Sequence, residues 1–387
     1  MGSEGVEQEA VATSVPSEEL GSAETQAVER REEVPSWRKA PAIDVGELVF
    51  GRPLTPFLLD LSTPKLVIAW RPRDRRYDYV LFLSRLLRDA YRVVHGSTPL
   101  ARYVASVSDV HTRIAWLPVQ GSIVVIELSS EALKSIEARV RIEERLREFV
   151  SQGPGFLVLY VDRDARLEIE RIVENVFNDV ACPDVIEVSI DEAEPLEKYV
   201  RVVAAYSGFI DFEELESVKS LDSISMYLEA AGRRILTELA LRDEALRDRV
   251  SPCSEGEEFT RFLVRALAVK EASTRCGWSS VVTCYRLLKG FDVDVVARGR
   301  DEAIYVETLT NARLVEARIK YVASTLLGSF SRATIVIPNS VLLLFAPRIL
   351  DALRDATKWG GFIELAGLDI SRLKLVTYGD LIQKLTS

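Results

Sequence analysis

The chain has 387 residues, which at about 100 to 200 residues per domain predicts two or three domains. Hydrophobic residues make up 48% and charged residues 28%, which excludes both wholesale disorder and a small disulfide-stapled scaffold. The 49 Lys and Arg against 59 Asp and Glu leave a net charge of −10, which argues against a protein that coats nucleic acid indiscriminately. No run approaches the roughly 18 apolar residues of a membrane helix, and acids stand where a signal peptide needs a basic start, so the chain reads as cytoplasmic. Only two His, two Met, four Asn and five Gln occur, a depletion of thermolabile types that suggests a thermophile.

In chain order, residues 1–41 carry nine Glu against Arg30, Arg31, Arg38 and Lys39, with few aromatics, and read as a disordered acidic tail able to hold a protein partner. Residues 42–200 alternate apolar runs with amphipathic stretches. Strands are expected at 65–70, 112–117, 123–128, 156–161 and 185–190, with helices at 77–94, 130–150 and 167–178, an α/β layer pattern. Residues 201–252 turn helical, with Leu221, Ile224, Leu228, Ile235, Leu239 and Leu246 at helical spacing, and read as a connector ended by Pro252. From 253 to 387 a helix at 257–270 is expected to bury Phe259, Phe262, Leu263, Ala266 and Leu267. Strands at 279–286, 291–298 and 303–309 follow, then a helix at 312–327, a strand at 333–338, a helix at 342–359, a strand at 374–378 and a last helix. The cysteines, Cys182, Cys253, Cys276 and Cys284, show no metal-ligand spacing and read as structural thiols. Acid/base chemistry based on His has only His95 and His111 to draw on.

Chemistry concentrates in Phe291-Asp292-Val293-Asp294-Val295-Val296-Ala297, a turn, and Ala303-Ile304-Tyr305-Val306-Glu307. A hairpin centred on Arg300 and Asp301 places Asp294 directly opposite Glu307. Cβ atoms so opposed lie about 4.5 to 5.5 Å apart, and two carboxylates there repel unless a cation such as Mg2+ or Mn2+ sits between them.

These residues resemble the PD-(D/E)xK nuclease superfamily, the restriction-endonuclease-like fold, over about residues 254–340. The resemblance implies Asp294 and Glu307 as metal ligands, with Glu258 on the preceding helix as accessory acid. It implies a lysine two positions after Glu307, where this chain has Leu309. Either Lys320 on the next helix replaces that lysine, or the domain kept its acids and lost catalysis. Glu316, four residues before Lys320, offers the plainer reading of a surface ion pair. Arg298, Arg300, Arg313 and Arg318 cluster around the hairpin as candidate phosphate ligands.

In the first region, Ile123 to Glu127 ahead of a helix containing Ile136 to Val140 parallels Ile304 to Glu307 ahead of Val315 to Ile319. The α/β domain is thus either a second, degenerate nuclease-like copy, with Ile114 and Ser129 at the Asp and Lys positions, or a Rossmann-like, doubly wound module. Arg71, Arg73, Arg75 and Arg76 lie between a strand end and a helix start, a weak anion-binding signal.

The functional reading is a nucleic-acid-associated protein, a metal-dependent phosphodiesterase acting on DNA. One alternative is an inactive nuclease-like fold that binds or scaffolds a nucleoprotein complex. Another is a ligand-sensing α/β domain coupled to a nuclease-like effector.

Overall fold

A computed structural model describes residues 33–104, 120–178, 184–212, 219–247, 249–288, 290–298, 301–358 and 360–387. His111, Ile114, Cys182, Arg300, the strand expected at 112–117 and most of the acidic segment lie outside these residues. The fold is mixed α/β, with one parallel and one mixed sheet.

Short apolar runs build the first sheet: β1 (Lys65–Arg71), β2 (Leu100–Val104), β3 (Ser122–Leu128), β4 (Phe156–Asp162) and β5 (Asp184–Val188). All pair in parallel, in the order β2-β3-β4-β1-β5. Strands covered on both faces need apolar residues without alternation, and β1, β3 and β4 have them. Val67, Val125 and Val158 face one core, while Leu66, Val124 and Leu157 face the other.

The second sheet comprises β6 (Val281–Leu288), β7 (Phe291–Ala297), β8 (Glu302–Val306), β9 (Arg332–Val336), β10 (Phe362–Asp369) and β11 (Lys374–Thr377), neighbours in chain order. β6, β7 and β8 form antiparallel pairs, β8, β9 and β10 run parallel, and β11 returns antiparallel. The two regions therefore do not repeat one topology: the first sheet is parallel throughout and the second is mixed. Thirteen α-helices lie among the described residues. They are α1 (Val45–Phe50), α2 (Thr55–Leu59), α3 (Val80–His95), α4 (Ser130–Leu133), α5 (Ile136–Val150), α6 (Arg166–Phe177), α7 (Leu196–Tyr206), α8 (Leu221–Arg242), α9 (Glu244–Arg247), α10 (Phe259–Cys276), α11 (Val315–Leu327), α12 (Asn339–Ala356) and α13 (Tyr378–Thr386).

α5 and α6 close the outer core of the first sheet through Ile142, Phe149, Ile169 and Ile172. α3, α7 and α8 cover its other face and continue into the core of the second sheet, both sheets lying within the unit Val34–Ser387. The stretch expected as a connector is an integral layer, because α8 packs on α3, α7 and α10. α10 lies on β6, β7, β8 and β11. Of its expected apolar face, Leu263, Ala266 and Leu267 are buried, but Phe259 is 44% exposed.

Order begins earlier than residue 42. Trp37 is fully buried and donates its indole N–H to the Ile363 carbonyl at 2.8 Å, while Ser36 bonds the Glu364 carboxylate through both its amide and hydroxyl. One Trp supplies enough apolar area to tie down a segment whose composition otherwise argues for disorder. No helix among the described residues is long and apolar enough to cross a membrane.

Candidate functional site

β7 and β8 meet at Val295–Ile304, Val296–Ala303 and Ala297–Glu302, a register two residues away from the one that opposes Asp294 to Glu307. Asp301, just before β8, stands at positive φ. A two-residue offset keeps side-chain parity, so Asp294 and Glu307 share a face but lie diagonally, with Tyr305 between them.

Asp294 is fully buried and sits at the guanidinium of Arg261, which donates from Nη2 at 2.9 Å and Nε at 3.3 Å. The Val306 amide donates to its Oδ2 at 2.8 Å, and Arg265 Nη1 stands 3.6 Å from its Oδ1. Burial pushes the Asp294 carboxyl up, opposed chiefly by Arg261. Burial lowers the Arg261 pKa in turn, but the charge and hydrogen bond of Asp294, with Tyr305 and Glu307, together outweigh this and hold it above the ordinary guanidinium range. Arg261 also lies 4.9 Å over the Tyr305 ring.

Glu307, 5% exposed, accepts from Arg318 Nε at 2.8 Å on one oxygen and from the Leu309 amide at 2.8 Å on the other. Arg318 reaches on to the Tyr305 hydroxyl at 2.9 Å. Leu309, where the sequence resemblance led to the expectation of a lysine, is fully buried and turns the chain at positive φ. Glu258 accepts from the Thr310 hydroxyl at 2.7 Å and pairs with Arg92 of α3.

A cleft of about 1140 Å³ opens over this group. Its lining includes Glu257, Glu258, Asp292 and Glu307 against Arg261, Arg286, Arg313 and Arg318, an even balance of formal charge. Asp294 lies beneath the lining, behind Arg261.

The cleft thus gathers Glu258, Glu307, Arg313 and Arg318, with Asp294 behind them. Lys320 is elsewhere: it pairs with Asp355 of α12 at 2.6 Å, and its expected partner Glu316 instead meets Arg348 at 3.0 Å. Both placements follow from α11 packing on α12, which brings longer-range partners nearer than the i,i+4 neighbour. Arg298 is exposed beyond the far end of β7.

In the first region Arg71 is taken by Glu127 and by Asp162, the latter at 2.8 Å, and Arg76 by Asp74 at 2.7 Å. Arg73 and Arg75 are exposed, and all four arginines lie outside both large cavities. The helix N-terminus expected to draw an anion is already occupied, since Asp222 accepts from the Leu81 and Phe82 amides at 2.9 Å each. Burial pushes the Asp222 carboxyl up to about 6, against those amides.

Two features of the cleft were not read from sequence. Arg261 and Arg265 stand four and eight residues after Glu257, a same-face charge pattern that the apolar reading of α10 passed over. Arg265 is fully buried, donates to Glu257 Oε2 at 2.9 Å and to the Ser251 carbonyl at 2.7 Å, and lies 2.7 Å from Cys253 Sγ. Cys253 and Cys284, expected as thiols, form a disulfide with Cα atoms 5.2 Å apart, fixing β6 to the segment before α10. Cys276 is free and half-buried.

These residues do not fit a divalent metal. Each oxygen of Asp294 and Glu307 faces a guanidinium or a backbone amide, so a cation would have to displace protein donors already in place. Cys253, Glu257 and Asp294 bring one potential ligand atom each within 4.8 Å of one another. In that group the sulfur is in a disulfide rather than a thiolate, and both acids hold arginines. Set beside known proteins, the chain matches no family model, no curated protein and no solved structure.

Proposed function

We propose that this is a nucleic-acid-associated protein in which residues 253–387 form a restriction-endonuclease-like domain that binds rather than cleaves. The order α10, β6, β7, β8, α11, β9 and the shared face of Asp294 and Glu307 support the kinship. The observation that carries the non-catalytic reading is the pairing of both acids: guanidinium charge stands where a nuclease needs a hydrated divalent ion, and no lysine among the described residues lines the cleft to polarise water. Phosphates meet the cleft at its arginine rim. Arg313 there has no ion-pair partner among the described residues, whereas Arg286 is held by Asp292 at 3.0 Å. Because the lining is balanced in charge, few phosphates are neutralised, and binding falls off gently with salt.

The test is digestion of single-stranded, double-stranded and branched DNA and of RNA with added Mn2+, alongside binding of the same substrates. Native protein is expected to bind without cutting, and Arg313→Ala to reduce the salt slope by about one. Mn2+-dependent cutting abolished by Asp294→Ala or Glu307→Ala would establish the metal-dependent phosphodiesterase instead. Absence of binding to every substrate would remove the nucleic-acid reading.

A further inference from the structure

α8 is a 22-residue helix whose Leu221, Ile224, Leu228, Leu236 and Leu239 are buried. Its opposite stripe, Met226, Ala230, Arg233, Arg234, Thr237 and Leu241, faces a groove of about 910 Å³ shared with the first half of α3 and with Ala101 of β2. A surface stripe this apolar is unusual, with Met226 59% and Leu241 53% exposed and Leu81 of α3 39% exposed beside them. At 1.5 Å rise per residue, Met226 to Leu241 spans about 22 Å.

Charge in the groove is one-sided. Among the described residues Arg85, Arg88, Arg233, Arg234 and Arg242 face it against Glu229 and Glu238, a formal excess of three positive charges on a chain of net −10. Arg88 holds Glu229 at 2.7 Å and Arg242 stands 3.7 Å from Glu238. The side chains of Arg233 and Arg234 are exposed and have no hydrogen-bond or ion-pair partner among the described residues. The Arg85 side chain is only 10% exposed, and its Nε, 3.4 Å from Glu229, makes no hydrogen bond. Arg85 is already matched inside the protein, its Nη1 donating to Ser207 Oγ at 2.7 Å, so the positive charge open to an anionic occupant is that of Arg233 and Arg234.

We infer that the groove between α3 and α8 binds a small organic polyanion, its apolar body on Leu81, Met226 and Leu241 and its phosphate-type groups on Arg233 and Arg234. The volume suits one small molecule. A nucleotide and an alkyl phosphate share this chemistry. The site stands on its own residues and does not depend on the nuclease-like reading of the cleft.

Isothermal titration of the full chain with ATP, with decyl phosphate below its micelle concentration, and with inorganic tripolyphosphate tests this. ATP or decyl phosphate is expected to bind at least tenfold more tightly than tripolyphosphate, and which of the two does so identifies the source of the apolar body. Arg233→Glu with Arg234→Glu, and separately Met226→Glu, lie at exposed positions and are each expected to weaken that ligand at least tenfold, while Arg313→Ala in the cleft leaves it unchanged. Binding of neither organic ligand, equal binding of tripolyphosphate, or indifference to the α8 substitutions overturns the inference.

Discussion

Each sheet carries a cluster of ion-paired side chains, but the two clusters differ in depth. In the first region Arg71, Glu127 and Asp162 join β1, β3 and β4 with side chains 23 to 28% exposed, and Arg71 also lies 4.8 Å over the Tyr160 ring. In the second, Asp294 and Arg265 are fully buried and Glu257 and Glu307 nearly so. Partial exposure lets water solvate an ion that loses its partner, whereas burial does not, so the same kind of ion pairing has unequal consequences. The comparison shows why acids in a strand do not by themselves mark a metal site: once such acids are buried, their charge must be met by whatever cation the fold brings, and here it brings arginine.

Removing one partner from each cluster tests the contrast most strongly. Asp294→Ala takes away the carboxylate that Arg261 hydrogen-bonds, while Arg265 keeps Glu257, and is expected to cost about 3 to 5 kcal/mol in urea unfolding. Arg71→Ala, in the half-exposed triad, is expected to cost about 1 kcal/mol. Equal costs would erase the distinction between the regions.

A smaller effect sharpens the first region alone. The Asp222 pKa is raised from 3.8 to about 6 on folding, so its ionised form is disfavoured in the native state. Native stability attributable to this group is therefore greatest below about pH 4 and is lost as pH rises through about 6. Two pKa units amount to about 3 kcal/mol as an upper bound. Asp222→Asn keeps the acceptor for the Leu81 and Phe82 amides and removes the titration. Relative to that variant, the native chain is expected to gain stability as pH falls from 6 to 4. A difference independent of pH would show that folding leaves the Asp222 pKa unshifted.

The elements were legible wherever burial imposed a strong period. β1, β3 and β4, buried on both faces, announce themselves as unbroken apolar runs. β2 escaped because an edge strand that leaves Leu100, Ala101 and Arg102 partly or largely exposed lacks any apolar run. β10 escaped because Gly360, Gly361 and Gly367 bracket and interrupt it; Gly367 is required there, since a Cβ would lie 2.5 Å from the Asn339 side chain. At the site, strand parity gave Asp294 and Glu307 a common face, but register depended on a turn whose centre composition does not fix. Arg261 was written in the i,i+4 pattern of α10, whereas the Cys253–Cys284 bond joins residues 31 apart and no local spacing points to it.

The most direct test asks whether guanidinium has displaced metal chemistry at Asp294 and Glu307. Titrating Mn2+ into the native chain and into the Arg261→Ala, Arg318→Ala double variant, with calorimetric detection, answers it. The expected result is no saturable binding by the native chain and a gained single site in the double variant, lost again on Glu307→Ala. Stoichiometric Mn2+ binding by the native chain that requires Asp294 and Glu307 would contradict it.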